Sequence, residues 1–225
     1  MKLYMSPRAP NPKRVCMFIA EKGLDSIALI AVDLNAGAHR EQSFLLRNPL
    51  ARVPVLELED GRCISESRAI CTWLEGTFPQ PNLMGEGTDE RALIEMYDRY
   101  MEWYVLLPTA QWVRHAHPGL AALESPQFPD FAQSQAVKRE VGLIWLEERL
   151  AQRPWVAGER FSIADITAFC AIEFARVMKF KPGESGYANI QRWRDQIAKR
   201  PSASAGDSEF LKAVAYHLWR NLKLS

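Results

Sequence analysis

The chain has 225 residues, of which 48% are hydrophobic and 24% charged, with a formal net charge of +1. That length suffices for one large core or two modest ones, and two domains are expected. The near-neutral balance argues against nucleic acid or an acidic membrane surface as partner, and no apolar run is long enough to cross a bilayer. The opening residues 1–8 lack the apolar centre of a secretory leader, so a cytoplasmic location is expected. Cys16, Cys63, Cys71 and Cys170 have neither a Cys-x-x-Cys nor a metal-ligand spacing. They read as mostly buried thiols in a reducing compartment, and no metal is expected.

In chain order, residues 2–5 predict a short strand and 6–10 a loop. Asn11-Pro12 then opens a helix, with asparagine as the cap and proline at the first helical position. That helix runs to Gly23. Residues 27–33 predict a buried strand, 42–46 a short helix, and 53–58 and 62–64 a hairpin turning at Asp60-Gly61. A helix from Ser67 carries Ile70, Trp73 and Leu74 at helical spacing. The order βαβα then ββα is that of a thioredoxin-like domain. Residues 79–88, rich in proline, glycine and polar side chains, form a linker between that domain, 1–78, and an all-helical one, 89–225. In the latter, 89–107 places Leu93, Met96, Tyr97, Tyr100 and Tyr104 on one face. Residues 131–150 carry Val137, Val141, Ile144, Trp145 and Leu146 at core spacing. Ser162 and Asp165 form a capping box for a further helix.

The densest chemistry lies in Asn48–Ile70. Pro54 has no amide to donate and belongs at a strand's first position or edge, leaving the backbone of Val53 free to pair with an extended ligand. Glu66 and Ser67 start a helix, whose exposed amides, with the Ser67 hydroxyl, favour a carboxylate, while the Glu66 side chain attracts an ammonium group. Arg52 offers a fork for a second carboxylate. Two carboxylates, one ammonium and an extended backbone describe glutathione.

This Val-Pro followed by Glu-Ser resembles the glutathione-binding half of the cytosolic glutathione S-transferase family, and the likeness extends over essentially the whole chain. It implies a cis Pro54, Val53 holding the cysteinyl part, and Glu66 and Ser67 holding the γ-glutamyl end. Arg40 follows the second strand where family members often supply a basic contact to the glycyl carboxylate.

Such an enzyme must hold the glutathione sulfur as thiolate, because a free thiol of pKa about 8.5 is mostly protonated at neutral pH. Bringing that value to about 6.5 takes about 2.7 kcal/mol of preferential thiolate stabilisation. The group responsible is expected between the first strand and the first helix. No cysteine occurs there, and Tyr4 lies within the strand as a packing residue. The candidates are Ser6, Arg8 and Asn11. Asn11 is preferred, with Ser6 or helix-terminus amides assisting; Arg8 reads as a solvated loop charge, with steering of an anionic substrate as the alternative. The Pro-Asn pair resembles the first loop of bacterial nu-class and yeast prion-like members, whose threonine two residues earlier is Ala9 here.

The second substrate is assigned to Tyr100, Tyr104 and Trp112 in the helical domain, with His115 read as a surface residue. The expected protein is a bacterial-type, homodimeric transferase of alkyl or aryl groups, its seam formed by the Ser67 and Asp89 helices. It would direct glutathione thiolate at a small electrophile or disulfide. Two alternatives accompany it: a glutathione-dependent disulfide reductase or peroxidase, and a non-catalytic glutathione-binding regulatory protein.

Overall fold

A computed structural model describes residues 1–7 and 9–207; Arg8 lies outside the described residues. These residues form two compact units, the first comprising 1–74 with 201–207 and the second 75–200.

The first unit is built on a four-stranded sheet. Its strands are β1 (Lys2–Met5), β2 (Ala28–Ala31), β3 (Val55–Glu57) and β4 (Cys63–Ser65), in the order β2-β1-β3-β4. β1 pairs parallel with β2 and antiparallel with β3, and β3 pairs antiparallel with β4. Helices α1 (Pro10–Glu21), α2 (Gln42–Leu45) and α3 (Ser67–Thr77) complete the thioredoxin-like arrangement. Period-two alternation sorts the sheet's faces. Leu3, Met5 and Leu56 are inaccessible on one side. On the other, Val55 packs with Val32 and Phe44, flanked by Tyr4, Leu34 and Val53.

Two expectations are corrected in this unit. The strand at 27–33 is shorter and lies at the sheet's edge, so its middle residues are largely exposed and only the flanking Ile27 and Val32 are buried. The first helix opens at Pro10 with Ala9 at the cap, not at Asn11-Pro12. First-turn amides have no intrahelical acceptor, so both prolines fit there at no cost in hydrogen bonds. Asn11 is therefore an exposed first-turn residue that caps nothing.

Residues 201–207 return to α1. Ser202 Oγ bonds Glu21, Lys13 Nζ meets Asp207 Oδ1 at 2.7 Å, and Gly206 adopts a φ of 78° against Cys16 and Met5. A Cβ at Gly206 would lie 2.7 Å from the Cys16 sulfur.

The second unit is helical: α4 (Gly87–Tyr100), a π-helical stretch (Met101–Leu106), α5 (Leu107–Ala116), α6 (Pro129–Gln152), α7 (Ile163–Ala175) and α8 (Ala188–Ala198). The π stretch has a local cause. Pro108 cannot donate to the Tyr104 carbonyl, and that carbonyl faces Gly142 of α6, where a Cβ would come within 2.3 Å of its oxygen. α6 is apolar on two sides, and its core face is not the expected one. Ala132, Gln135, Arg139, Gly142, Leu143, Leu146 and Leu150 are buried, whereas Val137, Val141 and Ile144 are 62, 63 and 49% exposed. On α4 the buried residues are Ile94 and Asp98, the latter accepting from Thr167 Oγ1 at 2.5 Å, and Leu93 faces outward. The Ser162–Asp165 capping box is present at the start of α7. Among the described residues, no helix is long and apolar enough to cross a membrane.

Candidate functional site

The start of α3 and the first turn of α1 meet. The Glu66 carbonyl accepts the Ile70 amide at 2.9 Å, which makes Glu66 the cap of α3, and its own backbone is left-handed with φ 68°. A non-glycine residue held there marks a position over-determined by its surroundings. Its carboxylate is exposed, while Ser67, the first helical residue, is 4% exposed. Ser67 Oγ lies 3.5 Å from Asn11 Oδ1, so residues 56 apart in sequence bring two helix N-termini to one place. The amides and partial positive charge of both favour anions there.

The Val53–Pro54 bond is cis. Pro54 immediately precedes β3, an interior strand, so Val53 lies beyond the ladder, and its backbone groups have no hydrogen-bond partner among the described residues. Asn48, 3% exposed, sets the approach: its side-chain amide donates to the Arg52 carbonyl at 2.9 Å and its oxygen accepts from Leu50 N–H at 3.1 Å. Sequence reading assigned Asn48 no role, although an Asn-Pro pair before the Val-Pro is a turn signal that could have found it.

Arg52 and Arg40 are exposed, and both are close enough to His39 to act on its titration. Burial foremost, then the Arg40 and Arg52 charges, pull the His39 imidazole below its ordinary value. His39 is 7% exposed and its Nδ1 is buried without a hydrogen-bond partner. The Arg40 and Arg52 charges thus make the surroundings of His39 electropositive, a setting that favours an anion.

Tyr4 is committed elsewhere. Its hydroxyl donates to Glu57 Oε2 at 2.9 Å, and the same carboxylate accepts from Arg47 Nε at 2.9 Å and Lys2 Nζ at 3.0 Å. The Arg47, Lys2 and Tyr4 bonds hold the Glu57 carboxyl down to about 2, and burial followed by the Glu57 bond raises the Tyr4 phenol. Ser6 sits in the turn after β1, its carbonyl accepting Ala9 N–H at 3.2 Å. No hydrogen bond links it to Asn11 or Ser67 among the described residues. Cys16, Cys71 and Cys170 are buried and in no disulfide, and burial pushes the half-buried Cys63 thiol up.

In the second unit, Tyr100 lines a groove of about 310 Å³ with Met96, Tyr97, Trp145, Glu148, Arg149 and Gln152. Tyr104 stands edge-on to Tyr100 at 6.2 Å. Trp112 does not join them. Twelve helical residues carry it about 18 Å along the axis from Tyr100, and its ring covers Arg139 instead. His115 is not a surface residue: it is 8% exposed, accepts the Phe128 amide at Nδ1 and packs on Phe128 and Phe131.

The model of the glutathione S-transferase N-terminal domain matches residues 3–82, and that of the C-terminal domain matches residues 117–201. The chain is 34% identical over 204 residues to glutathione S-transferase 2 of Saccharomyces cerevisiae, covering 90% of this chain and 87% of that protein. Among solved structures it is similar to a glutathione S-transferase domain-containing protein of Marinobacter aquaeolei, with 38% identity, a TM-score of 0.84, and 90 and 99% of the two chains covered. It is likewise similar to Gtt2 of Saccharomyces cerevisiae, at 34% identity and a TM-score of 0.83, covering 90 and 98%. With the two domain models laid along a thioredoxin-like unit and a helical unit, the chain belongs to the glutathione S-transferase family.

Proposed function

We propose that the first unit binds glutathione and activates its thiol for attack on a small electrophile. The 3.5 Å approach of Ser67 to Asn11 supports this reading, because it brings the residue proposed for the γ-glutamyl end and the proposed sulfur donor to one junction of helix termini. Glu66 takes the ammonium group, and Ser67 with the first amides of α3 takes the neighbouring carboxylate. The backbone of Val53 pairs with the cysteinyl part. Arg52, Arg40 and His39 receive the glycyl carboxylate. Asn11, free of capping, turns its amide N–H groups to the thiolate, with the amides opening α1 adding their field. Ser6 is the fallback donor, as the first-loop likeness to nu-class and yeast prion-like members leaves open. Proximity and electrostatics supply the catalysis, without a covalent enzyme intermediate. Tyr100 and Tyr104 remain the proposed second-substrate contacts.

Asn11→Ala tests the donor. Ultraviolet titration of bound glutathione should show the thiol pKa raised by about one unit, with kcat/KM for an aryl halide about tenfold lower, the loss of one hydrogen bond to a charged group. An unmoved titration shifts the role to Ser6 or the backbone. Glutathione bound with no thiolate at neutral pH, in wild type, favours a regulatory binding protein, and turnover confined to disulfides or peroxides favours a reductase.

We also infer a homodimer, in a reducing cytoplasm. Val137, Val141 and Ile144 form an outward apolar stripe on α6, and Leu93 is exposed on α4, side chains that a subunit interface would cover. Val141→Glu should convert the sedimenting species from dimer to monomer, and a monomeric wild type refutes the inference.

A further inference from the structure

Arg139 is the least explained charge in the second unit. It lies on the core face of α6 and is 7% exposed. Its guanidinium carbon sits 4.2 Å from the centre of the Trp112 ring and 4.6 Å from that of Phe180, so two aromatic rings from different segments cover it. Nε and Nη1 are both buried with no hydrogen-bond partner among the described residues. The adjacent carboxylate, Glu140, is engaged by the Tyr187 hydroxyl. No carboxylate stands within ion-pair distance of Arg139 among the described residues. Burial accordingly pulls its guanidinium below the usual arginine range.

A buried cation with donors unmet is among the costliest arrangements in a folded chain. Attraction to the two rings offsets only part of that cost, because a ring face satisfies no N–H in the plane of the guanidinium. What completes such a group is negative charge with lone pairs in that plane. The size of the ligand follows from the burial. Nε and Nη1 lie beneath the surface, so an anion reaching them must be small and must shed most of its water. A monovalent ion does so far more readily than sulfate or phosphate.

We propose that Arg139, walled by Trp112 and Phe180, binds a small monovalent anion, either a halide or the carboxylate of a small organic acid. The site lies within the helical unit and is independent of the glutathione contacts assigned above. Occupancy ties α5, α6 and the segment preceding α8 together, making the stability of this unit responsive to the anion.

The test uses the whole protein, titrated with sodium chloride and with sodium formate, each against sodium sulfate at equal ionic strength. A saturable change in tryptophan emission is expected with chloride, formate or both, and the responding salt identifies the ligand. It should be lost in Trp112→Phe and in Arg139→Met. In thermal melts, the wild type should gain about 2–4 °C over Arg139→Met as the anion reaches about five times its Kd, a comparison that cancels general salt effects. In anion-poor buffer, Arg139→Met should be the more stable protein, because methionine fills the space without a charge. A wild type with no saturable response to either salt overturns the proposal. So does a response that persists in Arg139→Met. If Arg139→Met does not fold, the wild-type isotherm compared with Trp112→Phe still decides.

Discussion

Ser67→Ala is expected to weaken glutathione binding by about 10- to 100-fold, because a hydrogen bond to a charged group contributes about 1.5–3 kcal/mol. Ser67 is buried at the junction with Asn11 and is the first residue of α3, not its cap. Alanine is a good helix former at that position, so the fold should persist and the loss should register as affinity. Glu66 separates the two quantities further. Glycine tolerates the left-handed backbone at φ 68° that glutamate occupies at a cost of about 1 kcal/mol. Glu66→Gly should therefore hold or raise stability toward urea while removing the ammonium contact and weakening binding. Calorimetric titration of both variants beside urea melts measures the pair of effects. An unchanged Kd in Ser67→Ala would sink the site as described.

Asp165→Ala should be the most destabilising single change in the helical unit, by about 3–5 kcal/mol, lowering Tm by about 6–20 °C. The carboxylate is 0% exposed and accepts four hydrogen bonds. These come from Val156 N–H at 2.9 Å, Trp193 Nε1–H at 2.9 Å, Ser162 N–H at 3.0 Å and Ser162 Oγ–H at 3.2 Å. Truncation leaves those donors buried and unpaired, and it unties α7 from α8 at Trp193. Burial also pushes the Asp165 carboxyl up to about 6 from an ordinary 3.8, against the pull of its four donors. Because the folded-state value is the higher one, the native state holds the extra proton between these values. Stability contributed by this group therefore declines as pH rises from about 4 to about 6 and is level beyond. Chemical denaturation across that window should show the decline in wild type and not in Asp165→Asn, and parallel profiles would refute it.

The legibility of these features in the sequence depends on how local their cause is. Val53-Pro54, Asp60-Gly61, Glu66-Ser67 and Ser162–Asp165 are local turn and cap signals that the sequence displays, whereas the contacts of Ser67 with Asn11 and of Asp165 with Trp193 join residues 56 and 28 positions apart. Asn11 was misplaced because a cap and a first-turn residue have the same sequence signature once two prolines stand either side of it. The core face of α6 was read one stripe away from its true position. Its buried side contains Arg139 and Gly142, which a hydropathy pattern counts as outward, and its outward side contains Val137, Val141 and Ile144. Gly142 is there to admit the Tyr104 carbonyl, and Arg139 is there between the Trp112 and Phe180 rings; both reasons lie in other segments of the chain. His39 was passed over beside Arg40 because only the folded chain shows which of the two is buried with a nitrogen unmet. Trp112 was grouped with Tyr100 and Tyr104 by residue type, whereas distance along the helix separates them.

The homing of residues 201–207 onto α1 bears on how this gene is recombined. The surface that shelters Cys16 and Met5 is encoded about 190 to 200 positions downstream of them, with Gly206 in contact at a spot where an added Cβ would lie 2.7 Å from the Cys16 sulfur. A chimera that exchanges residues 1–78 with a relative as one cassette would inherit a foreign patch over its own helix. Shuffled libraries should therefore tolerate crossovers only when residues 201–207 travel with residues 1–78.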